Sequence, residues 1–132
     1  MPDLAPLVAA LRDAVPGLAA VYAFGSAVRG EATPESDLDL AVLASAPLGA
    51  VARFDLQERL AAQAGRDVDL VDLRAASTVM QAQVVHTGRV VLDADAGARA
   101  AFETTAFSAY ALLNEERAGL LADIAARGRV HA

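Results

Sequence analysis

Apolar and polar positions along this chain switch between helical and strand-like spacing, and the switches predict an order of elements. Leu4, Leu7, Val8 and Leu11 form a helical stripe within residues 4–15, with Asp3 as N-cap and Pro16 and Gly17 as the stop. Residues 18–24 are an apolar run of strand length. Residues 25–30 read as a turn with a short helix. Residues 31–36, containing Thr33 and Pro34, read as a polar loop where substrate access could be controlled. Residues 37–44 predict a second strand. Residues 48–64 predict a second helix, with Val51, Phe54, Leu56 and Leu60 among its apolar positions and Gly65 at its C-terminal cap. A third strand follows at 67–73. Ser77 caps a helix that runs to about His86, ahead of Gly88, and residues 89–92 make a short fourth strand. Asp93 and Asp95 can cap a last helix at about 96–126, with 127–132 as a frayed end. The expected class is α/β: a small mixed β-sheet with flanking helices and a long C-terminal helix. One domain is expected, with its core at about 4–92.

Within this pattern, Gly25 and Ser26 close the first strand, and ten residues later Asp37 and Asp39 open the second. Strand side chains alternate faces, so Asp37 and Asp39 point the same way. Two carboxylates on one face repel unless a cation lies between them or one is protonated. Hard oxygen ligands of this kind suit Mg²⁺, which completes its shell with water and substrate phosphates. Gly25 lets backbone approach a ligand closely. Ser26 offers a hydroxyl and a backbone N–H at the start of a helical turn, and Arg29 offers a charged fork to phosphate. The segment 65–73 supplies a third acid. Asp67 and Asp69 share one face there and Asp72 takes the other. Three carboxylates around two metal ions can activate an attacking oxygen and stabilise a leaving pyrophosphate.

The run of Gly25 and Ser26, then Asp37-Leu38-Asp39, then Asp67-Val68-Asp69-Leu70-Val71-Asp72-Leu73 resembles the DNA polymerase β-like nucleotidyltransferase superfamily. Within it the chain looks like the minimal nucleotidyltransferases, and the resemblance runs from about residue 4 to about 120. It implies the nucleotidyltransferase (polymerase β-like) fold, two Mg²⁺ ions and ATP as substrate. It implies Asp37, Asp39 and Asp69 as metal-binding and catalytic residues, with Asp67 second to Asp69, and Gly25, Ser26 and Arg29 as nucleotide-binding residues. Members of this kind are antitoxins. They transfer AMP from ATP to a tyrosine hydroxyl of a HEPN-domain ribonuclease toxin, which silences it. Two other functions are kept beside this one. One is transfer to a small molecule such as an aminoglycoside-like hydroxyl, for which the chain lacks room to hold the acceptor. The other is a non-enzymatic antitoxin that neutralises its partner by binding alone, which would gain nothing from clustered carboxylates.

Composition narrows the partners. The chain has 132 residues with a net charge of −6, no cysteine, and eleven basic residues that are all arginine. Its pI is about 4.7 and its mean hydropathy +0.36. Without cysteine there is no disulfide or thiolate site, which fits a cytoplasmic protein. An acidic body is a poor general binder of nucleic acid, so no direct nucleic-acid binding is expected, while a basic protein surface would suit it. No apolar run approaches a membrane span, and residues 1–4 do not resemble a signal peptide. Glu31 and Glu35 read as loop acids. His86 reads as a helix-end residue, His131 as part of the tail, and Tyr22 and Tyr110 as core or interface residues.

The last helix carries Phe102, Ala106, Ala109 or Tyr110, Leu113, Leu120 and Ile124 at helical spacing. The stripe either packs on the sheet throughout or, over residues 112–124, projects and meets a partner or a second copy.

Overall fold

The apolar run 18–24 becomes a strand buried on both faces, and the rest of the architecture is layered around it. The computed structural model describes residues 3–31, 33 and 35–131, with side chains for all of these except Ala27 and residues 128–131. Met1 and Pro2, Ala32 and Pro34 of the polar loop, Ala132 and the side chain of His131 therefore lie outside the described residues. The order is α1 (Ala5–Ala14), β1 (Leu18–Phe24), α2 (Ser26–Arg29), β2 (Leu38–Ala44), α3 (Ala50–Ala64), β3 (Val68–Asp72), α4 (Thr78–Thr87), β4 (Arg89–Asp93) and α5 (Ala96–His131).

The strands form one mixed sheet in the order β3-β2-β1-β4. β1 pairs antiparallel with both β2 and β4, whereas β2 and β3 are parallel, joined by the α3 crossover. The two central strands are nearly continuous in apolar residues because both their faces are covered. On one face Val21, Ala23, Leu40 and Val42 meet Leu7 and Leu11 of α1 and Leu56 and Leu60 of α3. On the other, Ala20, Tyr22, Phe24, Ala41 and Leu43 meet Val84 of α4 and Phe102 and Ala106 of α5.

Several ends differ from expectation. Leu4, not Asp3, is the N-cap of α1, although Asp3 Oδ1 still accepts the Ala5 N–H at 3.0 Å. Val51 and Phe54 are exposed, at 75% and 52%. They stand roughly 140–160° around the α3 axis from Leu56, so the stripe that reaches the sheet is Leu56 and Leu60. Residues 127–131, expected as frayed, continue α5. Ser77 caps α4 as expected, accepting the Met80 N–H at 3.1 Å, and Asp95 accepts that of Ala98 at 3.0 Å.

Two polar devices secure the layers. At the β3 edge, Leu70 N–H donates to Gln57 Oε1 (2.9 Å), and Leu70 C=O accepts from Arg53 Nη1 (3.0 Å). Side chains of α3 thus stand in for the missing neighbour strand. On the opposite face, the Tyr22 hydroxyl donates to Glu103 Oε1 at 2.8 Å. Arg99 Nη1 binds that same oxygen at 2.9 Å, while Arg99 Nε forms an ion pair with Asp93 at 3.1 Å, outside hydrogen-bond alignment. Burial, then the Glu103 carboxylate, pushes the Tyr22 phenol well above its ordinary range, so it stays a donor.

Replacing Tyr22 with Phe should lower stability by ~0.5–1.5 kcal/mol, because Arg99 still satisfies Glu103 and only one hydrogen bond is lost. Urea unfolding of the two proteins would measure this.

Candidate active site

The turn after β1 and the start of β2 are adjacent because the two strands pair antiparallel, with Phe24 opposite Asp39. Gly25 follows with φ +73°, in the left-handed region that favours glycine. A Cβ at this position would overlap Asp39 Oδ2 and lie 2.9 Å from Asp39 Cγ. Position 25 is therefore closed to any side chain, and backbone sits directly against the carboxylate. Ser26 begins the single turn of α2, in which the N–H groups of Val28 and Arg29 both reach the Gly25 carbonyl at 3.2 Å. The N–H of Ser26, ahead of them, has no acceptor within the helix. Gly30 ends the turn in left-handed conformation.

The third acid comes from β3, where the parallel register sets Asp69 beside Asp39. Neighbouring strands lie about 4.8 Å apart, and both residues point to the face that carries Phe24 and Ala41. Asp37 sits just before β2, two residues from Asp39 on the same side, and is exposed. Burial, then the charge of Asp69, then that of Asp37 raises the Asp39 carboxyl above its ordinary range, and Arg29 opposes them. Asp67 is exposed and is not among the charges that act on Asp39. Its backbone carbonyl instead accepts the Leu38 N–H at 2.9 Å. Asp72, on the opposite face as expected, is buried and accepts the Leu48 and Arg74 N–H groups at 2.8 and 3.2 Å.

Of the residues expected at the site, the structure thus brings together Gly25, Asp37, Asp39 and Asp69, with Ser26 at the adjoining turn. Arg29 is near enough to act on Asp39 but pairs with Glu31 at 3.1 Å, both largely exposed. Among the described residues no three acids or imidazoles already converge as a closed cage. The charges of Asp69 and Asp37 disfavour ionisation of Asp39. A donor set of hard oxygens with this mutual repulsion fits a divalent cation such as Mg²⁺. Arg66 was not anticipated: its Nη1 donates to the carbonyls of Thr33 (3.2 Å) and Ser36 (3.1 Å). No local pattern announces such a contact, which joins residues thirty or more positions apart.

The family described as polymerase beta, nucleotidyltransferase matches residues 9–97. The chain belongs to this nucleotidyltransferase family. The protein adenylyltransferase MntA of Shewanella oneidensis is 39% identical over 120 residues, spanning 91% of this nucleotidyltransferase and 86% of the relative. A crystal structure of a toxin–antitoxin with AMP-PNP superposes with a TM-score of 0.81 at 39% identity, over 89% of this chain and 94% of the other. Another, of the tri-AMPylated Shewanella oneidensis HEPN toxin in complex with MNT antitoxin, gives 0.76 at 37% identity, over 90% and 92%. The mixed sheet and long C-terminal helix are those of the polymerase β-like fold.

The raised Asp39 carboxyl has a consequence for stability. Between the ordinary and the raised value the folded nucleotidyltransferase holds more protons than the unfolded chain, so stability falls as pH rises through that window. Asp39→Asn removes the penalty. In metal-free buffer this variant should melt above wild type at pH 7, and the gap should close below about pH 4, where the carboxyl is protonated in both states. Thermal melts across pH would read the sign directly.

Proposed function

We propose that this nucleotidyltransferase is an antitoxin that transfers AMP from ATP to a tyrosine hydroxyl of a HEPN-domain toxin. The chemistry rests on one observation above the others: Asp39 and Asp69 in register on adjacent strands, beside a glycine that admits no side chain. Likeness to a protein adenylyltransferase, and to antitoxins seen with AMP-PNP or an AMPylated HEPN toxin, supports the donor and the acceptor.

Asp37, Asp39 and Asp69 would hold two Mg²⁺ ions, which supply charge stabilisation for the triphosphate and activation of the attacking oxygen. The turn at Gly25 and Ser26, with Arg29 released from Glu31, cradles the β- and γ-phosphates. The acceptor oxygen forms a bond to the α-phosphorus in line with the bond that breaks, between that phosphorus and the bridging oxygen to the β-phosphate. Pyrophosphate leaves, and Asp69 takes the hydroxyl proton. ATP and a ribonuclease partner both belong in the cytoplasm, where we place the pair. Among the described residues no helix is long and apolar enough to cross a membrane.

The C-terminal helix favours a protein acceptor over a small molecule. Its contacts advance along β1 as it proceeds. Asp95 bonds to Ala19 at the start of the strand and Glu103 to Tyr22 midway. Phe107 and Tyr110 then line a groove with His86 and Thr87, one residue before Gly88, which packs against Ala23. The helix therefore leaves the domain toward the end where β1 runs into Gly25. From residue 114 to 127 it is exposed throughout and carries Leu120, Leu121 and Ile124 bare. This agrees with the projecting alternative for residues 112–124, while Phe102 and Ala106 take the packing role. A partner gripping that arm would be delivered to the carboxylates.

The test is the intact mass of the protein encoded by the neighbouring gene after co-expression, beside an Asp37→Ala/Asp39→Ala control. One or more added AMP units with the intact chain alone supports the reading. A partner that co-purifies unmodified would replace it with neutralisation by binding, and no complex at all would turn attention to small acceptors. Independently, Leu120→Arg/Ile124→Arg should lose co-purification of the partner with little change in melting temperature, since neither side chain is buried.

A further inference from the structure

We infer that Arg66 is a positioning residue for the transfer reaction: with the Asp67 backbone it holds both peptide planes that flank Asp37, and so restrains the backbone from which that carboxylate projects. The inference rests on the reading of Asp37 as a metal-binding acid.

Gly65 ends α3 in left-handed conformation, and its N–H bonds to Ala61. That reversal starts the chain back toward β3 and puts Arg66 beside the loop that leads into β2. Arg66 Nη1 donates to Ser36 C=O at 3.1 Å and to Thr33 C=O at 3.2 Å. The two carbonyls are held together by the turn itself: Ser36 N–H donates to Thr33 C=O (3.0 Å), and Thr33 N–H donates to Ser36 Oγ (2.8 Å). One residue past Asp37, Leu38 N–H donates to Asp67 C=O at 2.9 Å.

Because peptide groups are planar, the orientation of Asp37 reduces to the angle between the peptide before it and the peptide after it. The first carries Ser36 C=O and is held by Arg66. The second carries Leu38 N–H and is held by Asp67. Two successive residues at one strand entrance therefore hold the peptides on either side of an acid that lies just before another strand. Two residues further along, the same segment presents Asp69 in register with Asp39. The clamp thus ties the placement of Asp37 to that of Asp69, whereas Asp39 is seated within β2 by its pairing with β1 and β3. Asp37 lies outside the strand and has no such support. A neutral or shorter side chain at 66 would leave Ser36 C=O to water and let the first peptide rotate. Lysine would retain the charge but replace the planar, rigidly oriented nitrogen that donates to both carbonyls with a freely rotating ammonium.

The experiment measures Mn²⁺ binding by calorimetry, the Mg²⁺ concentration for half-maximal transfer, and the metal-free melting temperature. The proteins are wild type, Arg66→Ala, Arg66→Lys and Asp37→Ala. Loss of an outer-shell partner of a metal ligand typically costs about 10- to 100-fold in metal affinity. Arg66→Ala should weaken Mn²⁺ binding and raise the Mg²⁺ requirement by about that range, with melting close to wild type and Arg66→Lys between the two. Wild-type Mn²⁺ binding in Arg66→Ala, while Asp37→Ala has lost it, would overturn the clamp and leave the site reading intact. Unchanged Mn²⁺ binding in Asp37→Ala would overturn the site reading and the clamp with it. If both Arg66 variants melt far below wild type, Arg66 is a general structural strut and the assignment falls.

Discussion

Mutual repulsion among Asp37, Asp39 and Asp69 is the constraint around which the rest of the structure is arranged. A cluster of like charge at the end of a sheet disperses unless the backbone denies it room. Here that backbone is β1 and β2, buried on both faces. Asp39 cannot withdraw, because Phe24 pairs with it and the Gly25 backbone closes against its carboxylate. Asp69 cannot slide, because the same strand places Leu70 in the core and ties its backbone to Gln57 and Arg53. The acids are thus held by apolar packing and edge hydrogen bonds some distance from them.

The two faces of the sheet divide the labour. The α1 and α3 face is apolar around Leu11, Leu40 and Leu60, with the hydrogen-bonded Asp72 at its margin, and serves rigidity. The α4 and α5 face shares its side with the acids, and there the packing is interrupted by the polar line from Tyr22 through Glu103 and Arg99 to Asp93. That line fixes α5 to the two strands it crosses. A helix of 36 residues is ~54 Å long. Anchored near its beginning, it acts as a lever whose free end the sheet does not constrain.

Much of this was legible in order and spacing. The apolar run at 18–24 announced the first strand, and the spacing of Gly25, Ser26, Asp37 and Asp39 announced residues that the fold brings together. Alternation separated Asp72 from Asp69 correctly, because strand faces follow directly from parity. It could not separate Asp67 from Asp69, which have the same parity. Only the parallel register with β2 does so, and register between distant segments is not written in either one. The same limit hid Arg66, the Gln57 and Arg53 contacts at Leu70, and the Tyr22 to Glu103 bond, all of them side chains reaching across the fold. Val51 and Phe54 misled for a simpler reason. Apolar residues around α3 exceed what one face can bury, and the sheet takes Leu56 and Leu60.

The register that joins Asp39 to Asp69 has a consequence in time as well as space. β1 and β2 are joined by a short connection and can pair early, whereas the parallel partner β3 comes only after the α3 crossover closes. Parallel pairing across such a loop is slow, since chain entropy is lost before the contacts that repay it form. A chain still emerging from the ribosome, or one whose β3 has come undone, carries two of the three carboxylates and lacks the residue assigned to accept the proton. On the proposed role of Asp69, catalytic competence and completed folding are one event, and a half-formed copy has no third acid with which to spend ATP.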